Sequence, residues 1–491
     1  MRKTIFKTFS LVILLMIFSK GLGFVRESLV AAKYGAGYIS DVYVFEDGLI
    51  NAIYTVCAGV ISTTYIPKLL SIRHEDKDGF TSNYFNILFS IIIGITAIFA
   101  VFTPFVLKIS VPGFYNIYSV DVMNSLETLT KVNMISLLLV FVENYFIAVL
   151  QAHNYFIFSS IQGIVLNTSL IIYLLFFQQY EIQGIIIVKI LAHFINALML
   201  TIFINEKRLF KYSFIYKIND PNIISIAKLA TPVLVVNIVS QLNYIVDRAM
   251  ASGLDSGSMA LLSYANTVVA LIYSVIGISF NNIAYTSLSE KQDDDSDVKI
   301  LFSKYMSLLL SILLPCCIVL LVDSKDVCNV IYSRGAMNES SISILSLLLI
   351  IYIPSNFALC IRDLYNRLLY IHKKTKITSV INFGGLILNI ILNIILSKLF
   401  GVYGLALATS LTSILTVIIT KFYCKNYIDH HKQDFVSLCI KAIVVWLECV
   451  VLKIILSDAS MLMQIITIML SAGIALIIFN FDKIMKEVVK K

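Results

Sequence analysis

The feature that most constrains this chain is a series of uninterrupted apolar runs, such as LVILLMIF at 11–18 and FSIIIGITAIFAVF at 89–102. A transmembrane β-strand alternates polar and apolar residues, and these runs do not alternate. A helix needs roughly 20 apolar residues to cross a bilayer, and runs of that length recur along the whole sequence. Composition agrees: 58% of the 491 residues are hydrophobic and only 14% are Asp, Glu, Lys or Arg. Soluble domains carry about 25% charged residues. The mean hydropathy of +0.87 leaves too little polar surface to face water on all sides. A soluble enzyme is excluded, and the expected class is an all-α polytopic membrane protein.

Spanning runs centre on residues 5–31, 40–67, 84–108, 125–150, 155–178, 182–204, 222–250, 257–288, 301–322, 341–371, 375–398, 403–424, 434–456 and 459–481. This predicts about fourteen transmembrane helices. The N-terminal run has no small-residue cleavage site after it and continues into KGLGFVRE, so it reads as a first span and not as a signal peptide. Lys and Arg favour the cytoplasmic side. They cluster in the N-terminal tail, in the loops after spans 2, 6, 8, 10 and 12, and in the C-terminal tail (Lys483, Lys486, Lys490, Lys491). That alternation predicts both termini in the cytoplasm. The most basic mid-chain loop, NEKRLFKYSFIYK, divides the chain into an N-terminal bundle (1–204), a cytoplasmic linker (205–221), a second bundle (222–426) and two extra spans with a basic tail (427–491). The two bundles read as related halves around a central cavity, a common transporter plan.

The net charge of +8 suits loops facing anionic lipid, and nothing points to nucleic acid. The eight Cys are scattered without CxxC spacing, and Cys316–Cys317 reads as packing. No Gly-rich phosphate loop with a following Lys is present, so an ATP site is not expected. Asp293, Asp294 and Asp295 lack His or Glu partners and read as a solvated loop. His193 is the one His well inside a span and reads as a packed or hydrogen-bonded residue. Outside loops of about fifteen residues leave little room for an extracytoplasmic catalytic domain, which argues against a membrane glycosyltransferase and for a protein that is not an enzyme.

Ionisable groups inside a span are costly and therefore mark function by default. The densest group is Lys20, Arg26 and Glu27 on span 1 with Asp41, Glu46 and Asp47 on span 2. Arg26 and Glu27 are neighbours and should point to different sides of the helix, whereas Lys20 and Glu27 share a face. Span 7 carries Asn237, Gln241, Asn243, Asp247 and Arg248, too polar to face lipid all round. Arg362, Asp363 and Arg367 on span 10 run towards a cytoplasmic Lys cluster and read as snorkelling side chains.

The opening stretch FSKGLGFVRESLVAAKYGAGYISDVY resembles the start of the MurJ (MviN) family, the lipid II flippases of the multidrug/oligosaccharidyl-lipid/polysaccharide exporter superfamily. LQAHNYF, VDRAMASGLDSGSMALLSYAN, VIYSRGAMNESS and GVYGLALATSL follow in the family's order, so that the resemblance spans residues 1 to about 425. It implies a bacterial inner-membrane flippase that moves undecaprenyl-diphosphate-linked peptidoglycan precursor outward by alternating access. The implied partners are the lipid-linked oligosaccharide, membrane lipid and the cell-wall synthesis machinery. It also implies a cavity site at Lys20, Arg26, Glu27 and Asp41, where guanidinium would grip a diphosphate. The chain departs from the family pattern near Tyr54, Thr55 and Thr267, where arginine is usual, and adds Glu46 and Asp47. Export of another polyprenyl-linked surface oligosaccharide is the second reading, and a small-molecule antiporter of the same fold the third. Some family members resemble sodium-coupled transporters, and Asp247, Asn389, Asn393 and Thr409 fall where oxygen ligands for sodium are implied. Sodium is the only cofactor suggested, and hydrogen bonding between helices is the competing role for the two Asn.

Overall fold

The computed structural model describes residues 2–73, 76–177, 181–428 and 432–455, with short pieces between 466 and 478. Among the described residues every regular element is helical. In a bilayer only internally bonded backbone is tolerated, and a helix satisfies its own N–H and C=O groups. Eleven helices among the described residues are long and apolar enough to cross a membrane. The runs at 5–31 and 434–456 also form long helices, Arg2–Tyr34 and Lys432–Ile455. The run at 459–481 falls largely outside the described residues.

The chain forms two compact units, residues 1–259 and 260–491. The first holds α1 (Arg2–Tyr34), α2 (Tyr38–Ser71), α3 (Lys77–Val101), short α4 (Thr103–Ser110) and α5 (Phe114–Ile117), α6 (Val120–Ala152), α7 (Phe158–Phe176), α8 (Glu181–Glu206) and α9 (Pro221–Ala251). In it α6 packs against α2, α3 and α8, while α2 also packs against α9 and α1 against α7. The helix α10 (Ser258–Ile272) begins at the division. It continues through a π-turn at Tyr273–Gly277 into α11 (Ile278–Ser289). Then come α12 (Asp295–Val322), α13 (Ser324–Tyr332), α14 (Glu339–Ile371), α15 (Thr375–Phe400), α16 (Val402–Tyr423) and α17 (Lys432–Ile455). Here α14 is the hub for α11, α12, α13 and α16, and α15 lies on α16.

Local chemistry sets the helix ends. Asp294 of the acidic run caps α12, its carboxylate accepting from the N–H groups of Ser296 and Asp297. Hydrogen bonds from Ser296 and from that backbone hold the Asp294 carboxyl below the usual range. Asn338 caps α14 in the same way through Ser341. In the first unit a stacked aromatic group of Tyr65, Phe80 and Tyr84 with Tyr145 joins α2, α3 and α6. The Tyr145 hydroxyl donates to the Thr81 carbonyl at 2.7 Å.

Two glycines let α9 lie close on α2. A Cβ on Gly48 would stand 2.3 Å from the Tyr244 hydroxyl and 2.6 Å from Arg248 Nε, and one on Gly59 would stand 2.2 Å from Asn237 Nδ2. Small residues at such contacts are how membrane helices approach one another without a solvent-driven core.

Candidate functional site

Helix α8 shows how the first unit gathers its polar groups. Ile187, Leu191, Phe194, Ile195 and Leu198 are exposed, while Lys189, His193 and Asn196 are buried. The pattern is inverted relative to a soluble helix, because lipid is the solvent on the outside. Positions 189, 193 and 196 share one helical face, and each finds a partner on a different neighbour. Lys189 Nζ lies 2.8 Å from Asp47 Oδ1 on α2. His193 Nδ1 lies 2.9 Å from Glu143 Oε1 on α6. Asn196 Nδ2 donates to the Gln162 carbonyl on α7 at 3.2 Å, and Gln162 Nε2 in turn donates to Glu143 Oε2 at 2.5 Å. The His193 side chain is thus hydrogen-bonded and packed, as its place in the sequence suggested.

Charges of α1 and α9 lie near Asp47, the partner of Lys189. Arg26 Nη2 lies 2.6 Å from Glu27 Oε1, and the Tyr43 hydroxyl donates to the same oxygen at 3.0 Å. The Arg26 guanidinium also stands 6.0 Å from the Tyr43 ring centre. Arg248 sits with its guanidinium carbon 3.8 Å over the Tyr244 ring, in the space Gly48 leaves. Lys189 is the cation bonded to the Asp47 carboxylate, and Arg26 and Arg248 lie near enough to act on it electrostatically. Asn51, one turn along α2, donates to Asp47 Oδ2 at 2.9 Å. One cation bonded to the Asp47 carboxylate and two more near it thus come from three helices, a distribution suited to an anion with more than one charge.

The structure places each of these residues and corrects one expectation. Arg26 and Glu27 do not point apart, because both side chains are long enough to fold back and pair across adjacent positions. Lys20 is exposed and does not share the buried group. Asp41 is buried and accepts from the Gly257 N–H at 2.7 Å, so it anchors the turn after α9. Gly257 has φ +92, and a Cβ added to it would stand 2.4 Å from the Ala36 carbonyl oxygen, which explains glycine there. Glu46, adjacent to Asp47, turns the other way and accepts from Thr130 Oγ1 at 2.5 Å and Asn133 Nδ2 at 2.7 Å on α6. Arg362, Asp363 and Arg367 do more than snorkel: they bond to Thr416, Tyr273 and Asn282 respectively, inside the second unit.

Of the implied sodium ligands, Asp247 lies in the first unit and the others in the second. Asn393 Nδ2 donates to Asn389 Oδ1 at 3.0 Å within α15, and Thr409 Oγ1 donates to the Leu405 carbonyl on α16. An oxygen set of this kind suits a hard cation, but one amide oxygen is already engaged by its neighbour. Sequence reading missed Lys189 as a site residue. The signal was present, since Lys189, His193 and Asn196 recur at helical spacing inside an apolar run.

Known proteins share this architecture. The family model described as Lipid II flippase MurJ matches residues 30–476. A probable lipid II flippase MurJ of Buchnera aphidicola subsp. Acyrthosiphon pisum is 23% identical over 393 residues, 77% of this chain and 75% of the relative. One from Helicobacter pylori (strain ATCC 700392 / 26695) is 24% identical over 403 residues, covering 77% of this chain and 86% of the relative. Among solved structures, lipid II flippase MurJ in an inward closed conformation superposes with a TM-score of 0.81 at 23% identity, over 96% of this chain and 99% of that one. An inward-facing multidrug resistance MATE transporter of the MOP superfamily gives 0.69 at 10% identity, over 84% and 97%. With a family match running over nearly the whole sequence, this chain belongs to the lipid II flippase MurJ family.

Proposed function

We propose that this protein is a multi-pass transporter of the bacterial cytoplasmic membrane that carries lipid II from the inner to the outer leaflet by alternating access, and that it is not a catalyst. The family membership supports this reading and does not favour a surface-oligosaccharide exporter. The observation that carries it is the gathering of Arg26, Lys189 and Arg248 about the Asp47 carboxylate inside a membrane bundle. A diphosphate offers the charge and the paired oxygens that such a set recognises. Arg26 binds the diphosphate and Glu27 orients its guanidinium. Lys20, exposed on the same helix, adds positive charge at the entry, and Asp41 keeps the α9–α10 turn in place.

No nucleotide motif accompanies this site, so the drive is a gradient or the removal of product. One elementary charge crossing 100 mV is worth about 2.3 kcal/mol, and an inside-negative potential moves an anionic head group outward. Coupled sodium would take oxygens from Asn389, Asn393 and Thr409 once the bond between the two amides opens. The test is complementation in cells depleted of their own lipid II flippase. Growth is expected with the natural chain and not with Arg26→Ala, provided both reach the membrane in equal amount. No growth with the natural chain, or full growth with Arg26→Ala, overturns the reading.

A further inference from the structure

We propose that Asp47 is a resident counter-ion of this carrier: its carboxylate holds, among Lys189, Arg26 and Arg248, the place that the substrate's diphosphate takes on binding. The inference rests on the function proposed above and adds how the empty site is kept neutral enough to return.

Three observations support it. The Lys189 side chain is 7% exposed while that of Asp47 is 27% exposed. The anion of the pair is therefore on the accessible side and the cation behind it. Glu27 and Asp47 together supply two negative charges to the three cations, and a diphosphate in place of Asp47 supplies about two beside that of Glu27, so exchange improves neutralisation. Arg26 Nε is buried and has no hydrogen-bond acceptor. That N–H is open to a phosphate oxygen while the Nη2 group stays with Glu27.

The cost of leaving buried cations unpaired gives Asp47 its role. With substrate bound, the diphosphate satisfies Lys189 and Arg248, and the Asp47 carboxylate turns to Asn51 and the open side. Once the substrate has left, Asp47 returns to Lys189, and the site can reorient without an uncompensated charge inside the membrane. Glu46 cannot substitute, because Thr130 and Asn133 hold its carboxylate on the α6 side of α2.

The experiment measures binding of undecaprenyl diphosphate and turnover for the full chain in nanodiscs and proteoliposomes. Removing the competing carboxylate in Asp47→Asn is expected to tighten binding on the order of tenfold, the scale of coupling between neighbouring charges. Turnover should fall at the same time, because the empty carrier returns poorly. Asp47→Glu, which restores the charge, should bind like the natural chain. A merely structural ion pair predicts the opposite for Asp47→Asn, weaker or unchanged binding, and that result overturns the proposal. Should Asp47→Asn not fold, Lys189→Gln and the double variant Asp47→Asn/Lys189→Gln decide, since the double must bind tighter than the single. Failure of the natural chain itself to bind undecaprenyl diphosphate rejects the substrate reading, and is distinct from equal binding by natural and variant chains.

Discussion

Replacing Glu143 tests whether the buried ladder of α8 holds the first unit together. Its carboxylate is fully buried and bridges α6 to both α7 and α8, through Gln162 Nε2 at 2.5 Å and His193 Nδ1 at 2.9 Å. Glu143→Ala leaves both donors without an acceptor, at about 1–3 kcal/mol each. It also removes apolar contact worth about 0.8 kcal/mol per buried methylene. Relief from holding a carboxylate in a dry site offsets part of this. The net expectation is about 3 kcal/mol, at the low end for breaking a buried pair. Glu143→Gln keeps the volume and one acceptor for His193, and the Gln162 amide must turn its oxygen to the new NH2; with charge assistance lost, the cost should be about 1–2 kcal/mol. Unfolding in mixed micelles titrated with SDS, followed by loss of helix, reads the two differences. A loss below about 1 kcal/mol for Glu143→Ala, less than one orphaned donor costs, would refute the reasoning. So would equal damage from both variants.

Other consequences are as direct. At the end of α14, His372 stacks on Tyr427 with ring centres 3.8 Å apart. Burial, then Lys374 and Lys299, outweighs Asp295 and lowers its pKa below the ordinary histidine value. A depressed pKa contributes stability above the unfolded value near 6.5 that is lost as pH falls through the folded one. Melting temperature should therefore drop on acidification, and His372→Gln should flatten that slope; an unchanged slope rejects the assignment. In a Cys-free variant, single cysteines at 68–83 and 205–221 should resist a membrane-impermeant thiol reagent, while those at 323–339 should label. The reverse pattern overturns the orientation read from Lys and Arg. Sodium coupling predicts that exchanging sodium for potassium slows the natural chain in vesicles but not Asn393→Ala. Equal rates in both salts remove the ion site and leave the membrane potential or the removal of product as the drive.

Much of the architecture is legible in the sequence because burying apolar surface in lipid is a local, additive quantity. Runs such as 182–204 and 341–371 became α8 and α14 with boundaries shifted by a few residues. Asp294 caps a helix where only a solvated acidic run was expected, since a cap depends on backbone two and three residues away and not on composition. The charged residues of spans 1, 2 and 7 were recognisable as a group because every charge in an apolar run is conspicuous.

Their pairing was not legible. Glu46 and Asp47 are adjacent in sequence, about 100° apart around a helix, and that rotation sends one carboxylate to α6 and the other to α8. Lys189 is separated from Asp47 by 142 positions, and no local pattern states which helix will face it. Thus the sequence alone determined that this chain lies in a membrane, how its helices are spaced and which residues are too polar for lipid. Only the tertiary structure decided that Lys189 pairs with Asp47 with Arg26 and Arg248 nearby, because partners inside a bundle depend on helix rotation and close approach at positions such as Gly48, which no single helix specifies.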